Sequence, residues 1–445
     1  MRTCLGLSAS FFFGKLTSNR GGMKMRMGGF LLPSVGATPE QFELGLAGQN
    51  PNYYQQTLAD CAKLVSQFED LGFDFVAFTE HHFHLEGLEV SNNPVMLGTW
   101  AAMQTKRLRI SQMGNVLPAR NPILLAEDLA MLDHFSQGRM SAGFARGYQA
   151  RHVMTIGQKM NAVSTATNDE AYLEHDKVNR ELFNEHFTII KKAWNNSLFE
   201  HKGTHWEIPP SGVKWDHPAT QHMVPGMVGR DGNLEQIGIA PLTLQEPSEI
   251  EIFIPFTMSP ETVEWSAREG AVPIIFSPIE EHAKSAIDLY YSAAKDAGRD
   301  LEWGHGVGHF REIVVADTDE EAHRIMEDGL GYIWTRWHDW FGFNEALRYV
   351  GEEGAVPNTA KSMRDRGFSI AGSVDTVTRG LEEMIDKLNP ELIVPWIAAG
   401  PVKVDKLLKS NDLLVEKVLP KLGIELEQFQ PVMRGNFDGN GWTGR

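Results

Sequence analysis

Cysteine is nearly missing. Across 445 residues only Cys4 and Cys61 occur, so neither a disulfide framework nor a thiolate metal cluster can be built, and a reducing, cytoplasmic setting is expected. Positive charge is also scarce. Lys and Arg number 41 against 58 Asp and Glu, a formal net charge of −17, which opposes the phosphate-neutralising surface that a DNA or RNA partner requires. No apolar run in the sequence approaches the roughly 18 residues of a membrane-spanning helix, so no membrane partner is expected. Glycine-rich dinucleotide-binding and P-loop signatures, internal repeats and low-complexity tracts are missing as well.

The chain does have a basic beginning. Before the first acidic residue, Glu40, stand Arg2, Lys15, Arg20, Lys24 and Arg26 around "CLGLSASFFFG". That pattern resembles a weak signal or transit peptide, but the apolar piece is short and no small-residue cleavage motif follows it. Residues 1–24 therefore read as an unstructured extension, and 25–445 as one domain.

Within that domain, strand-like apolar runs alternate with helix-length segments. The runs are "RMGGFLLPS" (26–34), "FDFVAFTE" (73–80), "LRISQMGNVLP" (108–118), "RMSAGFARG" (139–147), "EIEIFIPF" (249–256), "VPIIFS" (272–277), "REIVVAD" (311–317) and "ELIVPWIAAG" (391–400). They are continuous rather than alternating, as strands covered on both faces tend to be. Asn121-Pro122 starts a helix that Gly138 closes, another spans 170–195, and a third runs from Ser259-Pro260 to Gly270. Eight strands interleaved with helices predict an α/β fold, a (β/α)8 TIM barrel. Two long segments, 200–248 and the aromatic-rich 331–366, read as insertions at the C-terminal face acting as lids or substrate walls.

Active sites of such barrels lie at the C-terminal strand ends. Glu80, His81, His82 and His84 end the second strand, Asn115 lies on the third, Ala145-Arg146-Gly147 end the fourth, and Ser259 to Thr262 open the helix after the fifth. His82-x-His84 matches a paired-histidine metal pattern, yet the later strands exit as "FARG", "PFTMSP" and "FSP" with no further ligand, so no metal is expected. Phosphate fits better. Arg146 can face two phosphate oxygens at once, and Ser259, Pro260 and Thr262 form a helix start with unpaired N–H groups. A flavin mononucleotide would satisfy such a cavity.

The segments "GFDFVAFTEHHF", "NNPVMLGTWAAMQTKRLRISQMGNVLP", "NPILLAEDLAMLDHFSQGRMSAGFARG" and "ETVEWSAREGAVPIIFS" together resemble the bacterial luciferase-like flavin monooxygenases, over most of 25–400 with 200–248 unmatched. The resemblance implies a barrel that binds reduced FMN (FMNH2), delivered by a flavin reductase in a two-component system. O2 then gives a C4a-(hydro)peroxyflavin that oxygenates a small, largely apolar organic substrate. It puts His81 on the catalytic histidine, Arg146, Ser259 and Thr262 on phosphate-binding residues, and Met113-Gly114 on a cis peptide beneath the flavin ring, beside Asn115. Ala145 stands where luciferase has a reactive cysteine and Met258 where it has a phosphate-contacting glutamate. Light emission and a long-chain aldehyde substrate do not carry over.

Phe30, Trp100, Tyr148, Trp334, Trp337 and Trp340 are candidates for an apolar substrate pocket, with His82 and His84 structural or pocket-lining. Glu80 is read either as orienting His82 or as pairing with a cation. Two other readings keep the barrel: an F420-dependent hydride-transfer enzyme, and a non-catalytic flavin-binding protein. Luciferase-like barrels pair through helices flanking the early strands, and "PILLAEDLAMLDHF" is more apolar than one buried stripe needs, so a homodimer is expected.

Overall fold

The computed structural model describes residues 22–36, 38–165 and 171–435. Nearly all of the extension expected over 1–24 lies outside these residues. The chain forms β1 (Met23–Pro33), β2 (Phe75–Phe78), β3 (Arg109–Gln112), β4 (Asn115–Val116), β5 (Ala142–Ala145), a hairpin of β6 (His201–Lys202) and β7 (Glu207–Ile208), β8 (Ile252–Thr257), β9 (Val272–Ile275), β10 (Gly308–Ala316), β11 (Ser369–Ser373), β12 (Leu392–Ala399) and β13 (Ile424–Leu426). The large sheet runs β3-β2-β1-β12-β10-β9-β8-β5-β4, with parallel pairing throughout. Since β3 and β4 are halves of one run, the order closes on itself as a (β/α)8 TIM barrel.

The break between β3 and β4 was not expected from the single run at 108–118. It falls at Met113–Gly114, a cis peptide. Close backbone approach makes glycine necessary there: a Cβ on Gly143 would stand 1.6 Å from the Gln112 carbonyl oxygen, and one on Gly114 would stand 2.9 Å from backbone atoms of Gly143 and Phe144. Besides the β6–β7 hairpin, two strands attached to the large sheet also lie outside the eight runs. β11 pairs only with β10, and β13 pairs with the first three residues of β1.

Helix starts follow the sequence closely. Asn121 caps Pro122–Phe135 by accepting from the Ile123 and Leu124 N–H groups. Ser259 caps Pro260–Glu269, which ends at Gly270 with φ +76. No helix among the described residues is long and apolar enough to cross a membrane. Inside the barrel, Phe30, Phe75, Phe253, Phe310 and Trp396 form an aromatic core.

The lower, N-terminal end is closed by charge. Arg26 donates to Asp74 (2.6 and 2.8 Å) and to Glu251 (2.6 and 2.7 Å), while Arg109 donates to Glu251 at 2.9 Å. The Phe429 ring lies 4.4 Å from the Arg109 guanidinium and 5.2 Å from that of Arg26, and its N–H donates to Asp74.

The two expected insertions differ. Residues 200–248 form the helix-to-strand connection into β8, on the N-terminal side of the barrel, and pack outside the helix Tyr172–Asn195 through His201 to Glu185 and Trp206 to His186. None of its residues lines the cavity described below, so this segment is neither lid nor substrate wall. An αβ connection begins at the wrong end of the barrel for that role. Segment 331–366, built of short helical turns over Tyr332–Arg336, His338–Phe341 and Phe343–Leu347, does reach the cavity, through Phe341, Gly342, Phe343 and Glu345.

Burial alone would raise the Glu251 carboxyl, but the Arg26 and Arg109 guanidiniums outweigh it and hold it below the usual carboxylate range. Its stabilisation is thus present above about pH 4.5 and is lost as pH falls through the lowered value. Glu251→Ala, leaving two buried guanidiniums to share Asp74, is expected to cost about 3–5 kcal/mol at pH 7. Urea unfolding at several pH values checks this: the gap between wild type and variant should narrow below pH 4.5, and a gap independent of pH contradicts the assignment.

Candidate active site

A cavity of about 360 Å³ opens at the C-terminal strand ends, the size of a small-molecule site. It gathers His81, Met113, Gly114, Ala145, Arg146, Tyr148, Met258, Ser259 and Thr262, residues separated by up to 181 positions; strand ends and helix starts point to His81, Ala145, Arg146, Ser259 and Thr262, and the resemblance to Met113, Gly114 and Met258. Phe144, Phe183, Trp265, Phe276 and Phe343 give it apolar walls.

One side is suited to an anion. The Arg146 guanidinium donates to Asp176, and Arg180 donates to the other oxygen of the same carboxylate at 3.2 Å. Burial, with Arg180 close by, pulls the Arg146 pKa below its ordinary value, a sign that this charge lacks full compensation. Burial would raise Asp176, but Arg146 and Arg180 hold it low. Nearby, the Thr262 N–H donates to Ser259 Oγ at 3.3 Å, and the two hydroxyls are 3.0 Å apart at the helix start. Two guanidiniums sharing one carboxylate beside a helix N-terminus suit a phosphate. Arg180 and Asp176 are not evident from strand ends. The signal was their i,i+4 spacing on the helix at 172–195, which aligns Tyr172, Asp176, Arg180 and Asn184 on one side.

The other side is organised by two buried carboxylates. Glu80 both orients a histidine and pairs with a cation. Its Oε1 lies 3.1 Å from His82 Nε2 and accepts from Arg120 Nε at 2.9 Å, while Oε2 accepts the Val116 N–H at 2.8 Å. Glu80, His82 and His152 bring ligand-type atoms within 4.8 Å of one another. His152 comes from the helix Ala150–Ile156, where no strand-end search would find it. Of this group, Glu80 also carries the Arg120 guanidinium.

Glu89, five residues beyond His84, was not anticipated. It is 1% exposed and receives His338 Nε2 at 3.0 Å, Trp337 Nε1 and Gln149 Nε2 at 2.9 Å, and Tyr148 OH at 3.2 Å; His84 Nε2 lies 3.0 Å away. Burial would raise this carboxyl, but the surrounding histidines hold it well below the usual range. The same burial, with Glu89 close by, raises the Tyr148 hydroxyl well above its ordinary value. His81 lines the cavity beside this cluster with Nδ1 3.8 Å from Glu89. Burial pushes its pKa down to about 4; Glu89 pulls upward, and His84 and His338 push further down. The ring is neutral at pH 7.

Several expected pocket residues lie elsewhere. Phe30 and Trp334 are fully buried in the aromatic core behind the cavity, and Trp337 meets Glu89 rather than the open space. His82 is turned to Glu80, with its ring 4.5 Å from that of His152. Asn115 is buried, its amide donating to Gly143 O and Gln112 Oε1, so it braces the strand that carries Met113–Gly114. Trp100 packs on the helix Pro94–Ala102, and Trp340 is 75% exposed. Tyr148 alone of the aromatic candidates is on the wall, where it meets Phe341 and Phe343.

Known proteins share this architecture. The chain is 26% identical over 342 residues to 3,6-diketocamphane 1,6-monooxygenase from Pseudomonas putida, covering 75% of this chain and 84% of that protein. It is 25% identical over 309 residues to an alkanal monooxygenase alpha chain from Photorhabdus laumondii, covering 66% and 68%. Among solved structures, the oxygenating constituent of 3,6-diketocamphane monooxygenase from the CAM plasmid of Pseudomonas putida, a type II Baeyer-Villiger monooxygenase in complex with FMN, superposes with a TM-score of 0.64 at 20% identity, covering 90% of this chain and 99% of that one. The model of the luciferase-like monooxygenases matches residues 25–388, and with the barrel and its cavity in the arrangement described, this chain belongs to the luciferase-like monooxygenase family.

Proposed function

We propose that the chain is a two-component monooxygenase that takes reduced FMN from a separate flavin reductase and uses O2 to oxygenate a small, largely apolar organic molecule. One observation carries this reading: a single apolar cavity holds the Arg146, Arg180, Ser259 and Thr262 group and the neutral His81. Reduced FMN, when bound, would supply the two electrons that activate O2. Arg146, Arg180 and the two hydroxyls would hold its phosphate. Met113–Gly114 and Ala145 offer a wall without a bulky polar group to the ring. His81, neutral and with one N–H and one lone pair, would hold or pass a proton at the reacting oxygen. The phenylalanines around it exclude water, which limits loss of oxygen as hydrogen peroxide.

A separate reductase is supported by the sequence, which carries no second nucleotide-binding signature, and by the relative described as an oxygenating constituent. The homodimer has support on the surface. Leu124, Met131 and Phe135 on Pro122–Phe135, with Met96 and Met103 at Pro94–Ala102, are 38–68% exposed on helices that follow β2 and β4. A face this apolar suits a second copy.

Arg146→Ala is expected to weaken FMNH2 binding about 100-fold while leaving riboflavin binding nearly unchanged, because only the phosphate contact is lost. Equilibrium titration decides, and normal FMNH2 binding removes Arg146 from the site. Retention of F420 in preference to FMNH2 would move the chain to hydride transfer instead. His81→Ala should keep its flavin but release hydrogen peroxide in place of product, read by a peroxide assay and by 18O2 incorporation across a panel of apolar ketones, alkenes and alkanes. A fully coupled variant contradicts the role given to His81. Light scattering at micromolar concentration should report a dimer, and Met131→Lys with Leu124→Lys a monomer.

A further inference from the structure

Three imidazoles surround the Glu89 carboxylate, and an ionised carboxylate can only accept hydrogen bonds. His338 therefore turns a protonated Nε2 to it at 3.0 Å, and the Nε2 of His84 faces two acceptors, Glu89 at 3.0 Å and the Gln149 amide oxygen at 2.9 Å, which agrees with both Nδ1 atoms being buried without a partner. His81 is reversed. It turns Nδ1 to the same carboxylate, and that nitrogen is also buried without a hydrogen bond. The backbone on both sides is strapped down: the His81 N–H donates to Ser91 O at 2.7 Å and the Val90 N–H to Pro33 O at 2.8 Å. Trp337 adds an indole N–H, and it and His338 come from a segment 248 and 249 residues along the chain.

We propose that Glu89 is the positioning residue of His81: its carboxylate keeps the ring proton on Nδ1 and so presents an unprotonated Nε2 to the cavity. This rests on the reading of His81 as the proton-handling group. Which nitrogen of an imidazole is protonated is set by what the other nitrogen faces. The groups facing His81 are Glu89 and Glu80, His84 and His338, and Tyr148, whose ring centroid is 5.9 Å away. Of these, Glu89 is the carboxylate on the Nδ1 side. His81 then works as an acceptor in the cavity, taking a hydrogen bond or a proton at Nε2, and Glu89 itself touches neither flavin nor substrate. The Trp337–His338 segment and Tyr148 hold the carboxylate in place, so the cavity wall and the histidine share one anchor.

The test is the tautomer of His81, read from histidine 15N shifts in the full chain at pH 7, with the His81 signals assigned by their loss in His81→Gln. Wild type should show the Nδ1–H form in excess by about tenfold, the preference expected for turning a ring N–H rather than a lone pair toward a carboxylate 3.8 Å away. Glu89→Gln should move the ratio toward parity, raise peroxide release, and leave FMNH2 binding within about twofold. Trp337→Phe, which removes a donor but not the charge, should leave the tautomer as in wild type. An Nε2–H ring in wild type overturns the proposal even if Glu89→Gln does not fold, and an unchanged ratio in a folded Glu89→Gln overturns it as well. A fully coupled His81→Gln would instead defeat the proton-handling role, while the tautomer measurement would stand.

Discussion

The buried quartet of Arg26, Asp74, Arg109 and Glu251 is the constraint on which the rest of the barrel is built. These four side chains enter from β1, from the residue ahead of β2, from the start of β3 and from the residue ahead of β8, and their bonds cross the lower end of the ring. Charges taken out of water must find partners of the right geometry. A strand slipped by one residue would turn its member of the quartet to the opposite face. Register is thereby specified at the base, leaving the upper loops free to carry chemistry instead of closure.

At the other end, two buried acids on the connection after β2 divide the work. Glu80 is saturated by Arg120, His82 and the Val116 N–H. Glu89 gathers histidine, tyrosine, glutamine and tryptophan donors. One acid is balanced by a guanidinium, the other by a ring of hydrogen-bond donors that includes imidazoles. The first behaves as a rivet between strand ends, and the second as a centre whose electrostatics reach into the cavity. Between them sits His81, flanked by carboxylates but desolvated enough to remain uncharged.

Much of this was legible in the sequence. Continuous apolar runs marked the barrel strands because each is covered on both faces, and Asn121-Pro122 and Ser259-Pro260 marked helix starts through local capping, which needs no tertiary information. Resemblance to known flavin monooxygenases added the roles expected of His81 and Met113-Gly114 and agreed with the phosphate reading of Arg146. What stayed hidden depends on distant pairing. β11 and β13 are short and lean on one neighbour each, and Glu89 gains its meaning only when residues near position 338 arrive. The aromatic candidates show a different limit. Phe30, Trp334 and Tyr148 are alike in composition, and whether such a ring fills the core or faces the cavity is decided by its height and orientation in the barrel. Residues 200–248 were assigned to the wrong face because length signals an insertion without saying at which end of a helix it opens.

The return of β13 to the first residues of β1 has a practical consequence for anyone wishing to join this chain to another protein. Both ends of the described fold meet at the base, next to the quartet and the Phe429 ring, whereas the cavity opens across the length of the strands, about 25 Å away for an eight-residue strand such as β12. If the chain takes reduced flavin as proposed, a reductase tethered at either end of the described fold would release it on the far side of the barrel, and it would travel through bulk solvent, exposed to oxygen, before reaching the cavity. Direct hand-over favours an attachment through the loops that follow the strand ends.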